Sequence, residues 1–577
     1  MEEEKKLTGY PSIDKPWLKY YSDDIIHAPL PSCTIYEYLV ENNCAYPKDI
    51  AIHYLGRRIT YGELFQKIDA TAASFAALGV SPGEIVTVAL PSVPEALYAV
   101  YALNKIGAVA NMIHPLAGED EIIHYLNEVE SKVAILFDGT YKLIGKRIAE
   151  TSLQHAIIVS AGESLLFGLK QFYYANNPQV RLPQNSVFHS WAWFMKSGKG
   201  TSVPIFPKDP DTLALISHTG GTTGEPKGVM CSDDNINALI WQVGKILPSS
   251  RQEVMLVVLP PFINYSLVNG MFEPLSLGHK IILIPDYKPE KFVTYIRRYK
   301  PNHINSIPAY LKTLLQTEEA KTISYSCFKY VYYGGEAMSE ETERALNELI
   351  LSRGAQHRLG KGLGCTEMVS SASLTTDECN LPGCAGIPFV RTNCMITEPR
   401  TDKELSNNEI GEICFSGPTL MIGYYNDQQA TDDIIQIHSD GQRWLHTGDL
   451  GYLDENGVLF VTGRIKRIIM TKGKDGNISK IFPDRIEKVI GQHPAVAVNC
   501  VIGVPDEERI HYPVAYVALN ADSRNSRKIE KELRESCRTQ LPEYMRPERF
   551  QFLDELPRTS RGKIDYRALE EMAQRGE

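Results

Sequence analysis

Between residues 50 and 335, short β-branched or apolar runs alternate with helix-like stretches, and this alternation constrains the fold more than any other feature of the chain. Ile85–Leu90 reads as a strand and Glu95–Leu103 as a buried helix; Lys280–Ile284 reads as a further strand, with a helical stretch from about Glu290 to Tyr299. Strands that alternate with helices predict an α/β fold with mostly parallel sheets covered by helices. From about 405 to 463 the pattern changes to strands and turns, with Glu455-Asn456-Gly457 as a hairpin signal. Beyond Arg464 a small α+β segment follows. At 577 residues the chain is too long for one core, so two or more domains are expected.

Composition narrows the function classes. With 43% hydrophobic and 23% charged residues, the chain reads as a soluble globular protein, and its net charge of -10 argues against a nucleic-acid surface. The first six residues are acidic and lead into no apolar run, so no signal peptide is read there. Val254–Ile263 is apolar but broken by Pro260 and Pro261, and too short to span a bilayer. Eleven scattered cysteines without a CxxC predict reduced thiols, no zinc site and a cytoplasmic location. Residues 161–200 are rich in aromatics: Phe167, Phe172, Tyr173, Tyr174, Phe188, Trp191, Trp193 and Phe194. The preferred reading is a helical excursion packing these rings on the main domain; a membrane-touching patch is the alternative.

The strongest chemical signal is His218-Thr219-Gly220-Gly221-Thr222-Thr223-Gly224-Glu225-Pro226-Lys227-Gly228, which follows the apolar run Leu213–Ile216. Glycines let backbone approach a polyphosphate, hydroxyls and amides donate to its oxygens, and Lys227 supplies positive charge. The spacing is not that of a Walker A loop.

This segment resembles the phosphate loop of the adenylate-forming superfamily, which includes acyl-CoA synthetases, coumarate-CoA ligases, firefly luciferase and the adenylation domains of peptide synthetases. The resemblance runs from about residue 35 to 570. Ile59–Leu64 and Lys105–Val109 match opening motifs of the family. Tyr333-Gly334-Gly335-Glu336-Ala337-Met338 resembles the loop that lines adenine. Gly362-Leu363-Gly364-Cys365-Thr366-Glu367 resembles the segment whose aromatic stacks on adenine, whose threonine contacts the α-phosphate and whose glutamate holds magnesium. Leu363 stands where the aromatic is usual, so stacking becomes aliphatic packing. Trp444–Gly451 contains Asp449, the family's acceptor for both ribose hydroxyls, and Arg464 matches the second ribose contact. Lys466 takes the hinge position, where a charged pivot stays solvated in both domain orientations. Lys563, after Gly562, matches the lysine that reaches the substrate carboxylate and the α-phosphate.

The resemblance implies a fold of two helix-covered sheets plus a β-rich subdomain in a large N-terminal domain (1–463), a hinge (464–467) and a small mobile α+β domain (468–577). It implies ATP, Mg2+ and coenzyme A, with catalytic roles for Lys563, Thr366, Glu367 and Lys227. Glu367 would hold the metal. Thr219, Gly220, Gly221, Thr222, Thr223, Gly224, Lys227, Gly334, Gly335, Glu336, Leu363, Gly364, Thr366, Asp449 and Arg464 would bind the nucleotide. Gly473 would lie along pantetheine, with Gly476 an alternative because the loop before Phe482-Pro483 is longer than the commonest form. Ile263, Tyr265, Asn269, Pro308, Gly334 and Val369 would line the acyl pocket. No aspartate stands where relatives that activate amino acids hold the ammonium, so a fatty or aryl-alkyl monocarboxylate is expected. The tail after Lys563 is short, which favours a free thiol acceptor. A carrier protein as acceptor, a homodimer, and a degenerate nucleotide-binding regulator (suggested by Leu363 and Ile263) stay open.

Overall fold

The computed structural model describes residues 7–184, 186–203, 209–219, 226–472, 478–506, 508–520, 526–558 and 564–575. Two large sheets dominate. In the first, of eight strands, the order is Gly423–Tyr424, Gly228–Ser232, Leu213–His218, Val109–Met112, Ile85–Ala89, Val133–Phe137, His155–Val159 and Phe188–Ser190. Its two leading pairings are antiparallel and the rest parallel. The second has seven strands, in the order Gly360–Lys361, Tyr330–Tyr333, His303–Ser306, Val254–Val257, Lys280–Leu283, Ile50–Tyr54 and Arg57–Thr60. All of its pairings are parallel except the edge hairpin Ile50–Thr60. Strands buried on both faces need continuous apolar runs, as in Val109–Met112, where all four residues are buried.

Local chemistry sets the helix starts. Ile59–Leu64 is a strand end followed by a capping box: the Glu63 N–H donates to Thr60 Oγ1 at 3.2 Å, and the Thr60 N–H donates to Glu63 Oε2 at 2.9 Å. The expected buried helix spans Pro94–Lys105, opened by Pro94 in its first turn. The second helical stretch is a 3-10 turn, Pro289–Lys291, followed by Phe292–Tyr299.

The β-rich part is a five-stranded antiparallel sheet. In it Arg443–Leu453 and Leu459–Arg464 form the hairpin signalled by Glu455-Asn456-Gly457, with Gly457 at φ +80° packed against the Trp17 backbone. The strand therefore carries through Arg464, and the 3-10 turn Ile465–Arg467 follows. Beyond it, Val496–Asp506, Ile510–Leu519 and Arg549–Leu553 form a three-stranded sheet with helices Pro483–Gly491, Ser526–Gln540 and Tyr566–Arg575. This smaller domain has a core of its own around Ile486, Val501, Val517 and Leu533.

The aromatic segment divides. Phe188, Trp191 and Phe194 are buried, with Phe194 meeting Phe75 at 5.0 Å between ring centres. Phe167 and Phe172, on helix Phe167–Asn176, are 79% and 71% exposed. No helix among the described residues is long and apolar enough to cross a membrane. All eleven cysteines are free.

Candidate active site

The Gly/Thr-rich loop, the Tyr333–Met338 loop and the Gly362–Glu367 segment each lie at the C-terminal end of a strand in the two large sheets, the edge at which open α/β sheets bind ligands. Leu213–His218 pairs antiparallel with Gly228–Ser232, His218 opposite Gly228, so the strands that flank the Gly/Thr-rich segment are paired side by side. Its base is closed by two bonds: the Thr219 N–H donates to the Lys227 carbonyl at 3.0 Å, and the Lys227 N–H donates to Thr219 Oγ1 at 3.1 Å. Lys227 Nζ lies 3.1 Å from Asp427 Oδ2 and 5.2 Å from the Tyr424 ring centre. Tyr424 Oη in turn donates to Glu367 Oε1 at 2.6 Å. Gly423–Tyr424 pairs with the strand that follows the loop, and this pairing brings Tyr424 to Lys227. Asp427 caps helix Gln428–Ile434 by accepting from the Ala430 N–H. That amide, and then Lys227, hold its carboxyl below the ordinary aspartate value. Burial, and then the neighbouring Glu367 carboxylate, push the Tyr424 hydroxyl up. Tyr424 and Asp427 were missed in the sequence, although an Asp just before a helix is a legible cap signal. The chain thus links a cation and a carboxylate through one tyrosine, an arrangement suited to a phosphate–metal pair.

The loops expected from the sequence to line adenine leave neighbouring strands, Tyr330–Tyr333 and Gly360–Lys361. Beneath them Lys361 Nζ donates to both Glu343 oxygens at 2.6 and 2.8 Å, and Tyr333 Oη donates to Glu343 Oε2 at 3.0 Å. One buried carboxylate thereby clamps both strand ends. Gly334 donates its N–H to the Ser306 carbonyl; Gly335, at φ +80°, and Glu336 are exposed. Leu363 is half-buried and packs on the main core, while a side chain at Gly364 would run into the Ser370 carbonyl. Thr366 and Glu367 open the 3-10 turn Thr366–Met368. On the β-rich side Asp449 and Arg464 face each other across their strands, with Arg464 Nε 2.6 Å from Asp449 Oδ1. Lys466 lies in the following turn.

The acyl-side residues are also drawn together in part. Ile263 caps the short helix Asn264–Leu267, which runs into a π-helical turn, Val268–Phe272, that carries Asn269. Such turns concentrate at functional sites. A side chain at Gly334 would meet the Tyr265 ring at 3.7 Å, so these two share one wall. Asn269 Nδ2 donates to Ser371 Oγ at 3.4 Å, and the Asn269 carbonyl accepts from Asn305 Nδ2 at 2.7 Å. Pro308 opens helix Pro308–Gln316 just after the strand whose Ser306 carbonyl holds Gly334. Val369 sits at φ +61°, ψ -55° with the Ser370 N–H donating to the Met368 carbonyl, a γ-turn in a conformation that β-branched residues avoid.

Gly220, Gly221, Thr222, Thr223, Gly224, Gly473, Gly476 and Lys563 lie outside the described residues. Two groups of metal-ligand type that sequence spacing did not suggest also come together: Glu253 with His279 and His303, and Glu412 with Cys414 and His446.

Comparison with known proteins identifies the family and the fold. Residues 40–425 match the AMP-binding enzyme family, and residues 485–563 match the AMP-binding enzyme C-terminal domain. A long-chain-fatty-acid–CoA ligase of Bacillus subtilis is 29% identical over 562 residues, covering 96% of this chain and 97% of the relative. The 4-coumarate–CoA ligase CCL1 of Humulus lupulus is 27% identical over 518 residues, 88% of each chain. Among solved structures, ATP-bound MatB from Rhodopseudomonas palustris superposes with a TM-score of 0.79 at 22% identity, covering 94% of this chain and 99% of that one. The anthranilate CoA ligase AuaEII, in complex with anthranoyl-AMP, gives 0.79 at 20% identity, with 96% and 99% covered. These two likenesses carry the fold; the family-model match, over most of the chain, carries the membership. The chain belongs to the AMP-binding enzyme family and is an adenylate-forming enzyme built on that family's large and small domains.

Proposed function

We propose that this enzyme joins a carboxylic acid to coenzyme A in two steps, through an acyl-AMP. The observation that carries the reading is the Asp427–Lys227–Tyr424–Glu367 chain at the base of the phosphate loop. In the first step Lys227 and the loop hydroxyls would hold the β- and γ-phosphates. Thr366 would contact the α-phosphate, and Asp449 with Arg464 would take the ribose. Lys563 would stabilise the charge that builds as the carboxylate attacks, since a preplaced cation acts most where charge develops. Glu367, half-buried with one oxygen bonded to Tyr424, is an oxygen donor of the kind magnesium prefers. When bound there, magnesium would supply neutralisation of phosphate charge.

In the second step the small domain would turn about Lys466, withdraw Lys563 and bring Gly473, or Gly476, along pantetheine, so that the thiolate displaces AMP. The acyl pocket would be walled by Ile263, Tyr265, Asn269, Pro308, Gly334 and Val369, a set without a charged side chain. Fatty or aryl-alkyl monocarboxylates suit it, and relatives named for long-chain fatty acids and for 4-coumarate support both classes. A panel of alkyl and aryl acids incubated with ATP, magnesium and coenzyme A, read by mass spectrometry, tests the reading. An acyl-CoA product is expected. Acyl-AMP that reaches only a carrier protein would move the acceptor, and no acyl-AMP from any acid would leave a nucleotide-binding regulator.

A further inference from the structure

Asp449 does not stand in a regular strand. Glu412, in strand Gly411–Ser416, pairs with Leu450, but Cys414 pairs with His446. The second strand therefore carries Thr447, Gly448 and Asp449 where the first carries only Ile413. This is a bulge, and a bulge takes backbone amides out of the ladder while re-aiming a side chain. Buried amides need replacement partners. The Asp449 N–H donates to Thr447 Oγ1 at 3.0 Å, and Thr447 Oγ1 donates to the Ile413 carbonyl at 2.7 Å. The Gly448 N–H, on a residue at φ +70°, donates to Glu412 Oε1 at 3.1 Å. A side-chain carboxylate has taken the place of the missing strand partner.

That carboxylate is itself fixed. Glu412 is 2% exposed, and its other oxygen accepts from the Arg400 N–H at 2.8 Å and from His446 Nδ1 at 3.1 Å. An ionised carboxylate only accepts, so His446 presents an N–H to it from Nδ1. The other ring nitrogen, Nε2, shares a hydrogen bond with His438 Nε2 at 3.0 Å. The His438 ring lies nearly parallel to Trp444, with centres 5.6 Å apart. The Glu412 carboxylate is thus the acceptor on which His446, the Arg400 amide and the Gly448 amide converge, with His438 behind His446.

We infer that Glu412, oriented by His446 and His438, is a positioning residue that sets the Thr447–Asp449 bulge and with it the aim of Asp449 at the ribose hydroxyls. The inference rests on the proposed ribose role of Asp449. Removing the charge of Glu412 while keeping its shape weakens a charge-assisted bond to the bulge, and the defect should be confined to nucleotides that have hydroxyls to offer.

The test compares ATP with 2′,3′-dideoxy-ATP: KM and kcat for ATP in pyrophosphate exchange, and the inhibition constant of the dideoxy nucleotide. Glu412→Gln should raise KM for ATP about tenfold, the size of one charge-assisted bond, with kcat within about twofold. The inhibition constant of the dideoxy nucleotide should stay at its wild-type value, so the preference for ATP falls. Equal loss for both nucleotides, or loss for neither, overturns the inference. Asp449→Ala separates it from the reading beneath it: if that variant keeps the wild-type preference, the ribose role is wrong. If Asp449→Ala abolishes the preference while Glu412→Gln keeps it, the positioning role alone is wrong. Where Glu412→Gln does not fold, His446→Gln carries the same comparison, with a smaller fall in preference expected and an equal loss for both nucleotides overturning it.

Discussion

Two ion pairs flank the proposed nucleotide site and are built in opposite ways. Lys361–Glu343, beneath the adenine-side loops, has side chains only 7% and 11% exposed and a tyrosine as third member. Lys227–Asp427, at the phosphate end, has side chains 40% and 43% exposed. A buried pair stripped of one member leaves a charge that water cannot reach, whereas an exposed pair exchanges partners with solvent at little cost. The first is scaffold, holding Tyr330–Tyr333 and Gly360–Lys361 so that the loops after them keep their geometry. The second keeps a cation near where phosphate would come, on a partner weak enough to be displaced by it. The difference teaches that these two pairs use burial in opposite ways: Lys361–Glu343 is sealed into the scaffold, while Lys227, proposed to meet phosphate, is left accessible.

The comparison is broken most easily where the expected effects are largest. Lys361→Met should leave Glu343 buried and unpaired, at a cost of about 3–5 kcal/mol in stability measured by urea unfolding. A loss well below that would mean water already reaches the pair. Lys563→Ala should remove about 3 kcal/mol of transition-state stabilisation, roughly a 100-fold fall in acyl-AMP formation. Thioester formation from supplied acyl-AMP should be spared, and equal loss of both half-reactions would refute the role given to Lys563.

A third, partly buried network sits at the opposite strand ends and sharpens the contrast through pH. Burial by itself pushes the Glu253 carboxyl up, but bonds from His303 at 2.6 Å and Lys329 at 2.9 Å outweigh it and hold it down at about 2. A depressed folded-state value means the stability is present in full above the unfolded value of 4.5 and drains as pH falls toward about 2. Glu253→Gln should therefore flatten the acid limb of the stability profile in that window, with the kinetic constants at neutral pH unchanged. The smallest effect is expected at the exposed pair. Asp427→Asn should leave the melting temperature where it is and lower KM for Mg-ATP by about two- to threefold, because Lys227 no longer exchanges one anion for another.

Much of the fold was legible because its signals are local. The capping box at Thr60 and Glu63, the proline-opened helix Pro94–Lys105 and the turn at Gly457 each depend on residues a few positions apart, which a one-dimensional reading can see. The aromatic segment was legible only by half, since Phe194 and Phe172 share a composition and differ in which surface the helices present. Tyr424 and Asp427 were overlooked because they meet Lys227 only when Gly423–Tyr424 pairs with Gly228–Ser232.

The sequence by itself determined the alternation of strand and helix and the motif set that marks the family, since each is written in contiguous residues. Tertiary structure decided which charges are buried and which are left accessible. It decided that Lys361 and Glu343 clamp two strands, that Tyr424 bridges Lys227 and Glu367, and that Glu412 stands in for a strand partner beneath Asp449. The physical reason is distance along the chain: such pairings join residues far apart in sequence, and their energetics depend on burial, which no local pattern records.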